Sequence, residues 1–308
     1  MSFPLLETDQ IHCYNAAGAA IECSGSGQDA SRPKLLSHTS GRFQTLEGVV
    51  LDSFTGAIWI RDANPAGFPL TFDEARAFTA DMAARKVYGH TNWQLPPRRL
   101  LFSLISHQSV NPALPAGHPF VNIFTGYYWA EEDARRFPDQ GWHIHLGGGR
   151  VPRAKKQESS LVWPVCLPET AGAASVEKKE ARFEISGESA LDRLTGLIWS
   201  LDACPAERPL PWIDALSMVG LLNKSAWQGA TDWRMPNIRE LESLVDLNAD
   251  SPALTPGHPF RNVRDVYWSS TTSLYEPRYS WALYTLDGIV GVGFKTDPGF
   301  HLWPVRAG

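Results

Sequence analysis

The feature that most constrains this chain of 308 residues is an internal duplication with an offset of about 140 positions. Residues 231–241 contain a Trp followed three positions later by a Pro, and residues 91–96 repeat that spacing in shortened form. The tetrapeptide Gly-His-Pro-Phe ends at Phe120 and again at Phe260. A repeat of this length corresponds to a whole domain rather than to one unit of a solenoid. The sequence therefore predicts two homologous domains in tandem.

Both copies show the same order of predicted elements, two helices followed by short strands. Thr71 and Glu74 have the spacing of a capping box, which predicts a helix that begins there and runs to about residue 86. The second copy has the matching helix from about 212 to 223, and Asn237 is the predicted N-cap of a further short helix. Apolar runs between Gly and Asp turns predict strands at 142–146, 161–165, 280–284, 289–292 and 300–303. Two helices and a mainly antiparallel sheet in each copy predict an α+β fold class.

The predicted domain boundaries follow the ends of the two copies. They are an N-terminal arm at 1–40, a first domain at 41–167, a linker at 168–181 and a second domain at 182–308. The linker is inferred from its Ala, Gly and Pro content. The arm is polar and rich in Gly, Ser and Ala, and we expect it to pack on the first domain or to be tied to it through Cys13 and Cys23.

The four Cys residues of the chain are unevenly placed. Cys13 and Cys23 lie close together in the arm, where a disulfide would hold a loop that has little core of its own. The other two, Cys166 and Cys204, are predicted to be buried thiols. Because no Cys-x-x-Cys pair occurs, the sequence does not predict a structural zinc site.

The composition is that of a globular protein, and it restricts the partners. Hydrophobic residues make up 43% of the chain and charged residues 20%, which allows each domain to bury a core. The net charge of -5 argues against general nucleic-acid binding, because phosphate contacts need a basic surface. No apolar run reaches the roughly 18 to 20 residues of a membrane span. The twelve Trp residues suit either a rigid core or flat platforms for stacking ligands.

Four motifs of the second copy occur in a recognisable order. They are Asp-x-x-Thr-Gly-Leu-x-Trp, Asp-Trp-Arg-Met-Pro-x-x-x-Glu-Leu, Tyr-Trp-Ser-Ser-Thr and Val-Arg-x-Gly, at 192–199, 232–241, 267–271 and 305–308. This order resembles the Legionella collagen-like protein C-terminal (Lcl C) domain family, long known as a domain of unknown function. The resemblance covers nearly the whole chain.

The resemblance implies both a fold and a location. The family is related to the C-type-lectin-like fold, which also occurs in sulfatase-modifying factors, so two tandem C-type-lectin-like domains are expected. Its best-known member is an adhesin that binds sulfated polysaccharides. Residues 8–15 and 27–30 are also similar to a segment that often precedes the domain in exported bacterial proteins. A secreted, periplasmic or cell-surface protein is therefore expected, although the first residues lack the basic start and apolar stretch of a signal peptide.

The second copy has the more complete set of polar residues, since the first has Gln94 and Leu100 in place of Arg234 and Glu240. We expect a glycan or another extracellular ligand to bind to the aromatic and polar residues of these motifs, namely Trp233, Arg234, Glu240, Tyr267, Trp268, Ser269, Ser270 and Trp281. Arg234 and Glu240 would be polar anchors for the ligand, or else they only fix the loop on the helix. The serine hydroxyls would contact a sugar, or else they satisfy a strand edge.

Two other classes of function stay open. One is a structural or assembly module that packs on a partner protein through Trp-rich surfaces. The other is an enzyme related to sulfatase-modifying factors, although the common catalytic motifs do not occur in the sequence. Cys204 would need a neighbouring base to be reactive. No catalytic residue and no resident cofactor is predicted.

Two groups of residues have metal-ligand chemistry without a complete set of ligands. His143 and His145 share one strand face and lack an evident third ligand. Asp246, Asp250 and Asp265 offer oxygen ligands for calcium, but their spacing matches no EF-hand loop. Calcium is the one metal ion that the sequence suggests.

Overall fold

The computed structural model describes residues 5–32, 41–168 and 181–308. The predicted linker at 168–181 lies outside this part of the chain except for its two end residues. The chain divides into two compact units, one of residues 37–179 and the other of residues 2–36 and 180–308. The arm thus belongs to the unit of the second domain, and our expectation that it packs on the first domain is wrong.

The arm has little regular structure of its own. It contains one antiparallel pair of two-residue strands, β1 (Cys13–Tyr14) and β2 (Ala20–Ile21). Cys13 and Cys23 form a disulfide across this pair, with their Cα atoms 5.3 Å apart. A single 3-10 turn follows at Asp29–Ser31.

The first domain consists of two helices and two antiparallel sheets. The helices are α1 (Phe72–Ala84) and α2 (Arg98–Ser103). The strands are β3 (Phe43–Thr45), β4 (Val49–Asp52), β5 (Ile58–Ile60), β6 (Trp93–Gln94), β7 (Tyr127–Asp133), β8 (Gln140–His145), β9 (Arg153–Lys155) and β10 (Val165–Cys166). One sheet has the order β3-β4-β5-β10-β6, and the other has the order β7-β8-β9.

The second domain repeats this arrangement. Its helices are α3 (Trp212–Lys224) and α4 (Ile238–Ser243). Its strands are β11 (Phe183–Ser186), β12 (Ser189–Asp192), β13 (Leu197–Ser200), β14 (Val266–Thr272), β15 (Tyr279–Tyr284), β16 (Ile289–Phe294) and β17 (Val305–Ala307). The sheets have the orders β11-β12-β13-β17 and β14-β15-β16. Each domain is therefore mixed α and β with few helices and antiparallel sheets, as the sequence predicts.

The helix starts agree with the capping signals, whereas two strands differ from prediction. The Glu74 carboxylate accepts hydrogen bonds from the backbone N of Thr71 at 2.9 Å and from its hydroxyl at 2.7 Å. The predicted strands at 161–165 and 300–303 make mostly isolated bridges, and regular pairing begins only at Val165 and Val305. A Pro precedes each of these Val residues and has no N–H to donate to a ladder, which explains the delay.

Trp residues form the core of both domains. Eleven of the twelve Trp side chains are buried, Trp227 being the partly exposed one. The indole N–H of Trp129 donates to Leu70 O at 2.8 Å, and that of Trp268 donates to Leu210 O at 2.8 Å. Burial of a side chain this large stabilises a domain by about 2 to 3 kcal/mol. The high Trp count therefore reflects two duplicated cores.

Candidate functional site

The N-terminal arm docks on β14 of the second domain and on Lys295, which follows β16. The Gln10 side chain acts like a paired strand, since its Nε2 donates to Thr272 O at 2.7 Å and its Oε1 accepts from Thr272 N at 2.9 Å. Lys295 closes the other side, where Nζ donates to Tyr14 O at 3.2 Å. The arm is thereby held through backbone groups and needs little apolar surface of its own.

A buried carboxylate fixes the end of the arm. Asp29 has no exposed surface, and its Oδ2 accepts from the hydroxyls of Thr271, at 2.9 Å, and of Thr8. Its Oδ1 pairs with Arg32 Nη2 at 3.2 Å. The same Arg32 nitrogen lies 3.3 Å from Ser270 Oγ. Hydroxyls that we expected to face a sugar therefore bind the arm.

Arg234 and Glu240 form a two-pronged ion pair beneath the arm. Nη1 and Nη2 of Arg234 donate to Oε2 and Oε1 of Glu240, both at 2.6 Å. Glu240 also accepts from Asn237 N at 2.7 Å, which completes a capping box at the start of α4. Burial raises the pKa of Glu240, but the charges of Arg234 and Arg32 outweigh burial, so the net pKa is lowered. The pair thus fixes the loop on the helix as an ionised fork.

The aromatic residues of the expected ligand surface lie in the core. Tyr267 and Trp268 have no exposed surface, and Trp233 and Trp281 are 2% and 3% exposed. The Ser269 hydroxyl is also buried and donates to Trp281 O at 2.8 Å. Rings buried in this way offer no face on which a sugar can stack. Of the eight residues expected at the site, Arg234 has the side chain that is partly exposed, at 21%.

A pocket of about 500 Å³ opens next to Arg234, between the arm and α3. Polar groups from three segments converge on it, and they are Ser26, Ser31, Arg32, Ser217, Asn223 and Arg234. Asn223 is held in place by two hydrogen bonds with the backbone of Trp233, both at 2.8 Å. Gly220 lies in the pocket wall, and a Cβ added there would meet no atom within 4 Å other than the adjacent backbone of its own helix. The pocket therefore combines fixed polar groups with open space.

Comparison with known protein families assigns both domains. The family model of the Lcl C-terminal domain matches residues 48–166 and again residues 188–306, which together exceed half of the chain. The chain belongs to the Lcl C-terminal domain family. A search of curated proteins found no match. Within the described residues of this tandem Lcl C protein, no helix is both long enough and apolar enough to cross a membrane.

The residues at the docking positions differ between the two Lcl C domains, which explains why the arm binds to the second. At the positions of Ser270, Thr271 and Thr272 the first domain has Glu131, Glu132 and Asp133. The Glu132 carboxylate instead accepts from the backbone N of Arg98 at 2.7 Å, at the start of α2. Three acidic residues would repel Asp29, whereas the Thr271 hydroxyl donates to it and the Ser270 hydroxyl accepts from its partner Arg32.

Several residues of this site carry weak sequence signals. Asp29 and Arg32 lie in an arm that has no periodicity, and Lys295 follows a Gly-rich strand. One signal is the run Ser270-Thr271-Thr272 of the second copy, which offers hydroxyls to a carboxylate such as that of Asp29.

The metal suggestions gain no ligand set from the structure. Within the described ranges, no group of three or more His, Cys, Asp or Glu residues could hold a metal ion. His143 is buried, contacts Ser160 Oγ through Nδ1 at 3.1 Å and stacks on Tyr127. Burial and the neighbouring His145 lower the pKa of His143 to about 4. The ring is thus neutral and packed.

Proposed function

We propose that this tandem Lcl C protein is a non-enzymatic, exported binding protein that recognises a glycan or another extracellular ligand. The ligand would occupy the pocket between the arm and α3 of the second domain, and both domains would be C-type-lectin-like in fold. The observation that supports this most is the convergence of Arg32 and Arg234 with Ser217 and Asn223 around one open pocket. Hydroxyl, amide and guanidinium groups are those that hydrogen-bond the hydroxyls and acidic substituents of sugars.

The charge of the pocket favours a ligand with a limited number of acidic groups. Arg234 is paired with Glu240, and Arg32 is paired with Asp29, so the four side chains have no net charge. The fork to Glu240 uses two of the five N–H donors of Arg234. A sulfate or carboxylate would therefore share a guanidinium that is already oriented and would not face an unpaired cation. Specificity would come from hydrogen-bond geometry more than from long-range attraction.

The buried aromatic rings are not the ligand-contacting residues of the proposed site. Tyr267, Trp268 and Trp281 lie in the core, and Trp233 reaches the wall of the pocket. An assembly function through exposed Trp clusters finds less support, because the indole partners of Trp129 and Trp268 lie within their own domains.

A pocket-filling variant tests the proposal. Gly220→Phe places a ring in the open wall, while Gly220→Ala adds one methyl group to the same exposed helix position and is the matched control. Both proteins would be screened on an array of neutral, sulfated and uronic-acid glycans, with and without calcium. We expect binding by the wild type and by Gly220→Ala, with a loss of at least about tenfold in affinity for Gly220→Phe, equivalent to about 1.4 kcal/mol. Equal binding by all three proteins would move the site away from this pocket, and no binding by the wild type would argue against a glycan ligand.

A further inference from the structure

A thiol and an imidazole meet in the second Lcl C domain, away from the residues that line the pocket. Cys204 Sγ lies 3.4 Å from His301 Nδ1. The backbone N of Cys204 donates to Asp202 Oδ1 at 3.0 Å, which fixes the loop after β13. His301 is held on β14, because its backbone O accepts from Trp268 N at 3.0 Å. The backbones of both residues are therefore fixed by hydrogen bonds.

The His301 ring is in its neutral form. Burial and the charge of Arg264 lower its pKa, so the ring is neutral near pH 7. A hydrogen bond to the backbone of Arg208 has the opposite, pKa-raising effect, as expected for a ring N–H that donates to a carbonyl oxygen. When one ring nitrogen of a neutral imidazole carries the proton, the other carries the lone pair. The nitrogen that faces Cys204 is then the acceptor.

A cation lies near the thiol. The exposed Arg264 guanidinium interacts with Cys204, and this interaction raises the pKa of Arg264. Its own backbone N donates to the Tyr267 hydroxyl at 2.6 Å, which anchors the residue next to the buried ring. A neighbouring cation favours the thiolate over the thiol. Cys204 thus has both a base and a cation as neighbours.

The first Lcl C domain shows the same backbone without this chemistry. Asn64, Phe124 and Leu161 occupy the positions of Cys204, Arg264 and His301. The equivalence is structural, because Asn64 N donates to an Asp at 2.9 Å, Phe124 N to a Tyr hydroxyl at 3.0 Å, and Leu161 O accepts from a Trp N at 3.0 Å. The thiol, the base and the cation thus occur together in one domain and are all replaced in the other.

We propose that Cys204 is a reactive thiol, deprotonated by His301 and stabilised by Arg264, that exchanges with small disulfides bearing a carboxylate. The thiol proton passes to His301 Nδ1, and the thiolate attacks one sulfur of the disulfide. A new S–S bond to Cys204 forms as the S–S bond of the reagent breaks, and the departing thiolate takes the proton from His301. Arg264 pairs with the carboxylate of the reagent. Because Cys204 is 1% exposed, the side chains around it must move for the sulfur to be reached.

The chain contains its own control for this proposal. Cys166 is also buried, and burial raises its pKa to about 12. The folded protein would be incubated with oxidised glutathione between pH 6 and 9, and adducts at each Cys would be quantified by mass spectrometry of peptides. We expect Cys204 to react at least about tenfold faster than Cys166, with a rate that falls less steeply below pH 8 than that of free cysteine, whose pKa is about 8.5. In denaturant the two thiols should react at similar rates.

Substitutions separate the roles of the neighbours. His301→Leu and Arg264→Gln should each slow the adduct at Cys204 by about tenfold or more, and His301→Leu should restore the steep pH dependence of an unassisted thiol. A neutral aromatic disulfide has no carboxylate to pair with Arg264. Its exchange rate with Cys204 should therefore fall less on Arg264→Gln than that of oxidised glutathione. Equal native rates for Cys204 and Cys166, or an unchanged Cys204 rate in folded His301→Leu, would overturn the proposal. If a variant does not fold, the rates of Cys204 and Cys166 in the wild type and the pH profile of the Cys204 rate still test the proposal.

Discussion

The ammonium nitrogen of Lys295 lies 4.1 Å from the centre of the Trp212 ring. The same nitrogen donates to Tyr14 O at 3.2 Å and to Thr272 Oγ1 at 3.0 Å. Lys295 therefore joins the arm, a core strand and the start of α3 at one buried point. The first domain has Lys156 at this position, paired at 2.8 Å with the half-exposed Asp133. Lys295 thus holds the arm, whereas Lys156 makes an ion pair at the surface.

Burial of Lys295 should make stability depend on pH. Burial lowers its pKa to about 7, against about 10.4 in an unfolded chain. Between these two pKa values the folded state binds fewer protons than the unfolded state, so the free energy of unfolding rises with pH. The destabilisation caused by burial of Lys295 is complete below the lower pKa and absent above the higher pKa. Urea unfolding from pH 7.5 to 9.5 should show the wild type gaining up to about 1.4 kcal/mol per pH unit over Lys295→Met. Parallel pH profiles for the two proteins would contradict this prediction.

Removal of the buried carboxylate of Asp29 should release the arm. Asp29→Ala leaves the Thr271 and Thr8 hydroxyls and one prong of Arg32 without their acceptor, and we expect a loss of about 2 to 4 kcal/mol. Limited proteolysis should then cut within residues 5–32 well before the domains are digested. Glu22→Ala, at an exposed position of the same arm, is the control and should behave as the wild type. An arm of Asp29→Ala that resists protease as the wild type does would show that the strand-like contacts of Gln10 suffice.

The domain architecture could be predicted from sequence because both copies repeat local signals that act over a few residues. The Thr71–Glu74 capping box and the Trp-x-x-Pro spacing fix where helices begin, whatever the rest of the fold does. The site could not be predicted in the same way. In the sequence, a Trp268 that stacks on a ligand cannot be distinguished from a Trp268 that packs in the core. The core role follows from its hydrogen bond to the carbonyl of Leu210, which is 58 positions away. The docking of the arm depends on Thr271, which is 242 positions from Asp29.

Removal of one partner of the Arg234–Glu240 ion pair should destabilise the domain more than replacement of both partners. Arg234→Gln introduces the residue of the first domain but leaves Glu240 buried and ionised, so we expect a loss of about 3 to 5 kcal/mol. The double variant Arg234→Gln with Glu240→Leu copies both positions of the first domain and should recover more than half of that loss. Chemical denaturation of the two single variants and the double variant gives the coupling energy. Additive losses in this cycle would show that the two side chains do not act as one unit.

The absence of a side chain at Gly293 is required by the ring of Phe300. A Cβ at Gly293 would lie 2.1 Å from Phe300 Cε2 and 2.6 Å from the Trp268 ring, so Gly293→Ala should destabilise the second domain by about 1 to 3 kcal/mol. The first domain solves the same packing problem differently, with Ala154 and Ser160 at the two positions. Gly293→Ala combined with Phe300→Ser should therefore be more stable than the sum of its two single variants predicts. Thermal or urea unfolding measures these stabilities. A double variant no more stable than the additive sum would mean that another contact, and not the Phe300 ring, excludes a side chain at Gly293. In the same measurement Gly220→Ala, at a helix position with open space around it, should instead gain up to about 1 kcal/mol.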